Sequence, residues 1–118
     1  MNFTRVKIIT TAPHEDADKI RQALGKAGAG SIGDYRYCSF SITGKGRFMP
    51  TEQADPHIGE ANKLEVVEEE QIEVICDRDK AKQVIVALRK AHPYEEPVID
   101  IVPLLSEEEL GNIPRQER

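Results

Sequence analysis

The stretch that decides the fold is KLEVVEEEQIEVIC, residues 63–76, read together with DRDKAKQVIVALRKA at 77–91 and PVIDIVPLL at 97–105. The first is rich in β-branched residues and predicts a long strand. Its phase slips at Val66–Val67, which predicts a bulge or a bend. In the second, Ala81, Val84, Ile85, Leu88 and Ala91 recur at helical spacing and make one apolar stripe, so residues 78–91 form a helix. The third is a further strand. Strand, helix and strand in that order make a crossover unit.

An equivalent unit lies upstream. FTRVKIITT, residues 3–11, reads as a strand that Pro13 ends. Asp16 is placed to cap a helix whose apolar face is Ala17, Ile20, Ala23, Leu24 and Ala27, and Gly28 and Gly30 stop it. YRYCSFSIT, 35–43, alternates: Cys38, Phe40 and Ile42 point one way, and Tyr35, Tyr37, Ser39 and Ser41 the other. Gly44 and Gly46 predict a hairpin turn into a short strand, 47–49. The order is β-α-β-β-β-α-β. Two right-handed crossovers of this kind give an α+β ferredoxin-like sandwich, an antiparallel sheet with two helices on one face. With Cys38, Phe40 and Ile42 facing the helices, Tyr35 and Tyr37 fall on the open face. Apolar groups there mark an oligomer interface. Residues 1–105 make the domain. The remainder, 106–118, is a polar tail holding a short helical turn at most.

Composition excludes several classes. Of 118 residues, 31% are charged and 39% hydrophobic, the balance of one soluble domain. A net charge of −5 with no Lys/Arg run argues against nucleic acid. No apolar run approaches the roughly 20 residues of a membrane span. The N-terminal residues lack a signal peptide's apolar core. A cytoplasmic location is expected, where Cys38 and Cys76 stay reduced.

GAGSIGDYRYCSFSITGKGRFMPTEQADPHIG, then KLEVVEEEQIEV and AHPYEEP, resembles the inserted domain of the Nif-three-like family. Those proteins hold a dinuclear metal centre in two flanking halves, with a PII/CutA-like domain between them. HPYE before a final strand is also similar to CutA, a trimeric ferredoxin-like family linked to divalent-metal tolerance. The resemblance covers about residues 4–105 and implies a free-standing version of the insert. The family's metal ligands lie in the flanking halves, and His14, His57 and His92 offer no H-x-H pair. The resemblance therefore brings neither the dinuclear centre nor hydrolase activity to this chain.

The candidate site gathers Cys38, Phe48, Glu69, His92, Tyr94 and Glu95. HPYEE, 92–96, has two readings. As structure, Lys90 and His92 favour the helix C-terminus. Pro93 ends the helix and holds His92 extended. Tyr94 packs as a lid, and Glu95 and Glu96 pair with a neighbouring chain. As a site, His92 and Glu95 converge on a polar ligand or a metal. Cys38 is either a core residue or a soft ligand beside them. In the run Glu68-Glu69-Glu70, Glu69 is the carboxylate that points away from its neighbours. Lys45 and Arg47 put charge beside the long loop 50–62, which suits an anionic ligand. The loop, with His57 and Glu60, is long enough to fold over a cleft.

The expectation is a non-enzymatic small-ligand-binding or regulatory assembly module. It forms homo-oligomers, a trimer in preference to a dimer, with no nucleic-acid or membrane partner. The alternative is a CutA-type protein binding a divalent metal ion through Cys38, His92 and Glu95. No other cofactor is implied.

Overall fold

A computed structural model describes residues 2–116; Met1 and the last two residues of the tail, Glu117 and Arg118, lie outside the described residues. Four strands and two helices follow one another: β1 (Arg5–Pro13), α1 (Ala17–Lys26), β2 (Phe40–Phe48), β3 (Glu65–Asp77), α2 (Ala81–Ala91) and β4 (Asp100–Leu104). A one-turn 3-10 helix leads into each α-helix, and another, Glu107–Leu110, follows β4. The sheet order is β2-β3-β1-β4, and every pairing is antiparallel. This is the ferredoxin-like α+β fold with its two split β-α-β units.

The helix stripes do what their spacing predicts. Ile20 and Leu24 of α1 and Val84 and Leu88 of α2 are fully buried against Val6 and Ile8 of β1 and Ile72, Val74 and Cys76 of β3. Asp16 stands at the N-cap of α1, but its own backbone is helical and its side chain caps nothing. Its helix continues the preceding turn, so the capping geometry is not available. Gly28 and Gly30 end α1 with φ of 109° and 86°. Gly30 then pairs through its backbone with Ile75 and Cys38. A Cβ at Gly30 would strike the Cys38 backbone. Among the described residues, no helix is long and apolar enough to cross a membrane.

The middle of the chain differs from its sequence reading in three ways. First, residues 44–46 make no turn. β2 runs straight through both glycines, so the described residues form four strands and not five. Neither glycine has a positive φ. Second, β3 pairs with β2 from Glu65 to Glu73 without a slip, and no bulge occurs at Val66–Val67. β1 pairs only with residues 69–77, so 65–68 have no sheet neighbour on that side and their alternation is not enforced.

Third, β2 is turned over. Ser41 accepts a hydrogen bond from Arg21 of α1, so it is Ser41 that faces the helices. Phe40 and Ile42, 61% and 50% exposed, lie on the open face. The alternation breaks before β2, where Tyr37 takes φ 59°. The Tyr37 ring lies against α1 where Gly25 has no side chain, and Tyr35 is in a small exposed turn.

Leu88, wholly buried between α2 and the sheet, tests this core. Leu88→Ala should lower unfolding free energy by about 2–5 kcal/mol in urea titrations, whereas Lys82→Ala on the exposed side should change it by under about 0.5. A Leu88→Ala cost no greater than that of Lys82→Ala would contradict the packing.

Candidate functional site

The site begins with strand alternation. On β3, Ile72, Val74 and Cys76 face the helices, so Glu69, Gln71 and Glu73 face the other way. Glu69 pairs across to Gly44 on β2 and to Pro13 on β1. It is only 8% exposed. The next residue, Glu70, is buried on the helix face. There it accepts from Arg21 Nη1 at 2.7 Å and pairs with His14. The Arg21 guanidinium, itself bonded to Asp18, holds the Glu70 carboxyl below the usual carboxylate range.

Glu69 is satisfied differently. The Tyr94 hydroxyl donates to its Oε2 at 2.8 Å. Its other oxygen lies over Gly46, where a Cβ would collide with it. Gly46 is therefore a seat for a carboxylate. Burial, reinforced by the Glu69 contact, raises the Tyr94 phenol above its ordinary value, so the hydroxyl keeps its proton and donates it.

Tyr94 reaches Glu69 because α2 stops where Pro93 requires it. His92 is extended (φ −77°, ψ 134°), as the following proline predicts. The residue is 6% exposed and both ring nitrogens are engaged: Nε2 meets the Thr11 carbonyl at 2.7 Å, and Nδ1 accepts from the Tyr94 backbone N–H at 3.1 Å. That pattern fixes a neutral ring with its proton on Nε2. Burial lowers the His92 pKa, so the ring brings no charge to the α2 terminus; Arg89 and Lys90 are the basic groups there. The rings of His92 and Tyr94 lie tilted against each other with centroids 5.0 Å apart, and Phe48 and His57 approach Tyr94 at 6.0 and 6.3 Å.

These parts enclose a cleft of about 640 Å³. Its floor is the open sheet face, with Thr11, Ile42, Gly44, Glu69 and Gln71. One wall is Tyr94, Glu95, Glu96 and Val98. The other is Phe48 with the loop from Met49 to Ile58. The loop folds over the cleft as its length suggested, and the Asp55 backbone N–H donates to Glu95 Oε1 at 3.2 Å.

Of the six candidate residues, Phe48, Glu69, Tyr94 and Glu95 line this cleft, and His92 braces it from below. Cys38 lies elsewhere. It is held beside Gly30 at the level of Ile75, six residues or about 20 Å along β3 from Glu69. Among the described residues, no three His, Cys, Asp or Glu side chains group to hold a metal ion. The set Cys38, His92 and Glu95 is not assembled, because both His92 nitrogens are occupied and Cys38 is at the far end of the sheet. Lys45 and Arg47 alternate to the face opposite Gly44, Gly46 and Phe48, so they meet the cleft at its edge. Thr11, Ile42 and Gln71 were missed. The alternation about Ile72 and Val74 was the signal that would have found Gln71.

No family model matches the chain. A protein of Halalkalibacterium halodurans named GTP cyclohydrolase 1 type 2 homolog is 47% identical over 109 residues, 92% of this chain and 29% of that protein. The protein of the same name from Mycobacterium tuberculosis is 38% identical over 117 residues, 94% of this chain and 31% of its own length. Among solved structures, a Bacillus cereus protein related to NIF3 superposes with a TM-score of 0.75 at 41% identity, over 86% of this chain and 26% of that one. The chain is a relative of one segment of the Nif-three-like family. It spans under a third of the length of these relatives. The divalent cation tolerance protein CutA of Archaeoglobus fulgidus matches 90% of this chain and 91% of its own, with a TM-score of 0.63 and 24% identity. That likeness is one of fold.

His92 yields a pH test. The unfolded chain's imidazole takes up a proton near pH 6.5, while the buried ring resists it, so folding releases a proton below that value. The stability tied to the neutral ring is complete above about pH 6.5 and falls as the pH drops below it. His92→Asn, which keeps an acceptor for the Tyr94 N–H, should therefore show a flatter stability profile than the parent between about pH 7 and pH 5. Equal slopes in urea titrations would remove His92 from this role.

Proposed function

We propose that this domain is a non-enzymatic, cytoplasmic small-ligand-binding module that assembles into homo-oligomers. The observation that carries this reading is the uncovered sheet face, which exposes apolar side chains on its two edge strands and ends in the Glu69–Tyr94 cleft. Phe40, Ile42 and Val102 stand exposed on that face. The chain exposes 8658 Å², against about 6,400 Å² for a monomeric protein of this mass. Its radius of gyration is 16.7 Å, where about 13.5 Å is usual. The excess of about 2,200 Å² is of the size that a protomer buries in a stable assembly.

A trimer is preferred over a dimer on the form of these surfaces. The two sheet edges, β2 and β4, are different, and the β2–β3 arm projects beyond β1. Unlike edges suit head-to-tail contacts that close as a ring.

Binding without catalysis is supported by how the polar groups of the cleft are used. The His92 nitrogens hold backbone groups, the Tyr94 hydroxyl donates its hydrogen bond to Glu69, and Glu95 holds the loop. Each fixes the shape of the cleft, and none is paired with a nucleophile.

Sedimentation equilibrium of the chain at micromolar concentration should give the mass of three protomers. Phe40→Glu, which places a charge on the open face outside the cleft, should shift the mass toward one protomer without loss of circular dichroism signal. A parent chain that sediments as a monomer would refute the assembly.

A further inference from the structure

We infer that the cleft selects an organic cation: a protonated or quaternary amine carried on a small apolar or aromatic body. The inference rests on the cleft being a binding site, as proposed above, and names the class of its ligand.

Glu69 is a buried carboxylate whose hydrogen bond is to Tyr94 Oη, and no Lys, Arg or His of the described residues forms an ion pair with it. The contrast with Glu70, one residue away, is direct: that carboxylate has an arginine and a histidine. Removing a carboxylate from water without a cation is costly, and a ligand cation would offset the cost. The carboxylate lines the cleft. One of its oxygens rests over Gly46, while Gly44, its cross-strand neighbour, would present a Cβ to open space, so β2 leaves the floor beside it uncovered.

The walls fit the same chemistry. Phe48, Tyr94 and His57 place aromatic rings about the space above Glu69. Ring faces attract cations, most strongly where water is excluded. The remaining acidic side chains of the wall, Glu95 and Glu96, have the same sign as Glu69. Lys45 and Arg47 alternate to the opposite face of β2 and meet the cleft at its edge. An anion brought to the floor would meet Glu69 at contact distance, away from those two side chains, which disfavours the phosphate-like ligand they suggest in sequence.

The test uses three probes of one frame: 2-phenylethylammonium, uncharged 2-phenylethanol and anionic 3-phenylpropionate. Each is titrated into the 15N-labelled full chain while amide shifts are followed. The ammonium compound should move the Gly44, Gly46 and Tyr94 amides and bind at least tenfold more tightly than the other two. Glu69→Gln keeps an acceptor for the Tyr94 hydroxyl and should retain the parent circular dichroism spectrum, yet lose at least tenfold in ammonium affinity. If all three probes bind the cleft equally, the site stands and the cation class is overturned. If none moves these amides, the cleft reading falls with it. If Glu69→Gln instead dissociates the oligomer, the carboxylate is occupied by a neighbouring subunit, and the inference is equally overturned.

Discussion

Two adjacent carboxylates, Glu69 and Glu70, are buried on opposite faces of one strand, and much of this structure serves to accommodate them. Alternation makes the arrangement unavoidable once β3 is central in the sheet. On the helix side, Glu70 recruits Arg21 from α1, and Arg21 also reaches Ser41 on β2 and Asp18 in its own helix. One guanidinium thus ties a helix to two strands. On the open side, Glu69 takes the Tyr94 hydroxyl and needs the absent side chain of Gly46. The turn after α2 is placed by that contact, and the cleft is the space left between the turn and the β2–β3 arm.

The site is therefore a consequence of the sheet's unequal pairing. β3 is 13 residues long, and its first four have β2 as their one partner. This length carries Phe48 and the following loop past the end of β1, where they face Tyr94. A β3 that ended where β1 ends would have no second wall. The fold shared with CutA and with the Bacillus cereus relative supplies the scaffold. The chemistry at the cleft comes from Glu69, Tyr94 and the glycines of β2.

Much of this was legible in sequence, and the failures have physical causes. The helices were legible because Ile20, Leu24, Val84 and Leu88 meet a core on one side and water on the other. The turn at 92–97 was legible because Pro93 restricts its neighbour wherever the chain goes. β2 was misread because its open face is as apolar as a core face: Phe40 and Ile42 alternate with Ser41 and Thr43 in the pattern of a buried strand, yet point outward. Gly44 and Gly46 suggest a turn in sequence because glycine marks turns far more often than it makes room for a carboxylate from the next strand. The Arg21–Glu70 pair is 49 residues apart in sequence, and no local pattern announces it. Cys38 was drawn into the site by its chemistry, and the positive φ at Tyr37 directs the chain there otherwise.

The claim on which the account turns is that the Tyr94–Glu69 hydrogen bond builds the cleft. A double-mutant cycle of Tyr94→Phe and Glu69→Ala, read by urea unfolding at pH 7, measures it directly. The account predicts a coupling of about 1.5–3 kcal/mol, the range of a hydrogen bond to a charged group. Costs that add to within about 0.5 kcal/mol would mean that the two side chains do not support each other, and would contradict it.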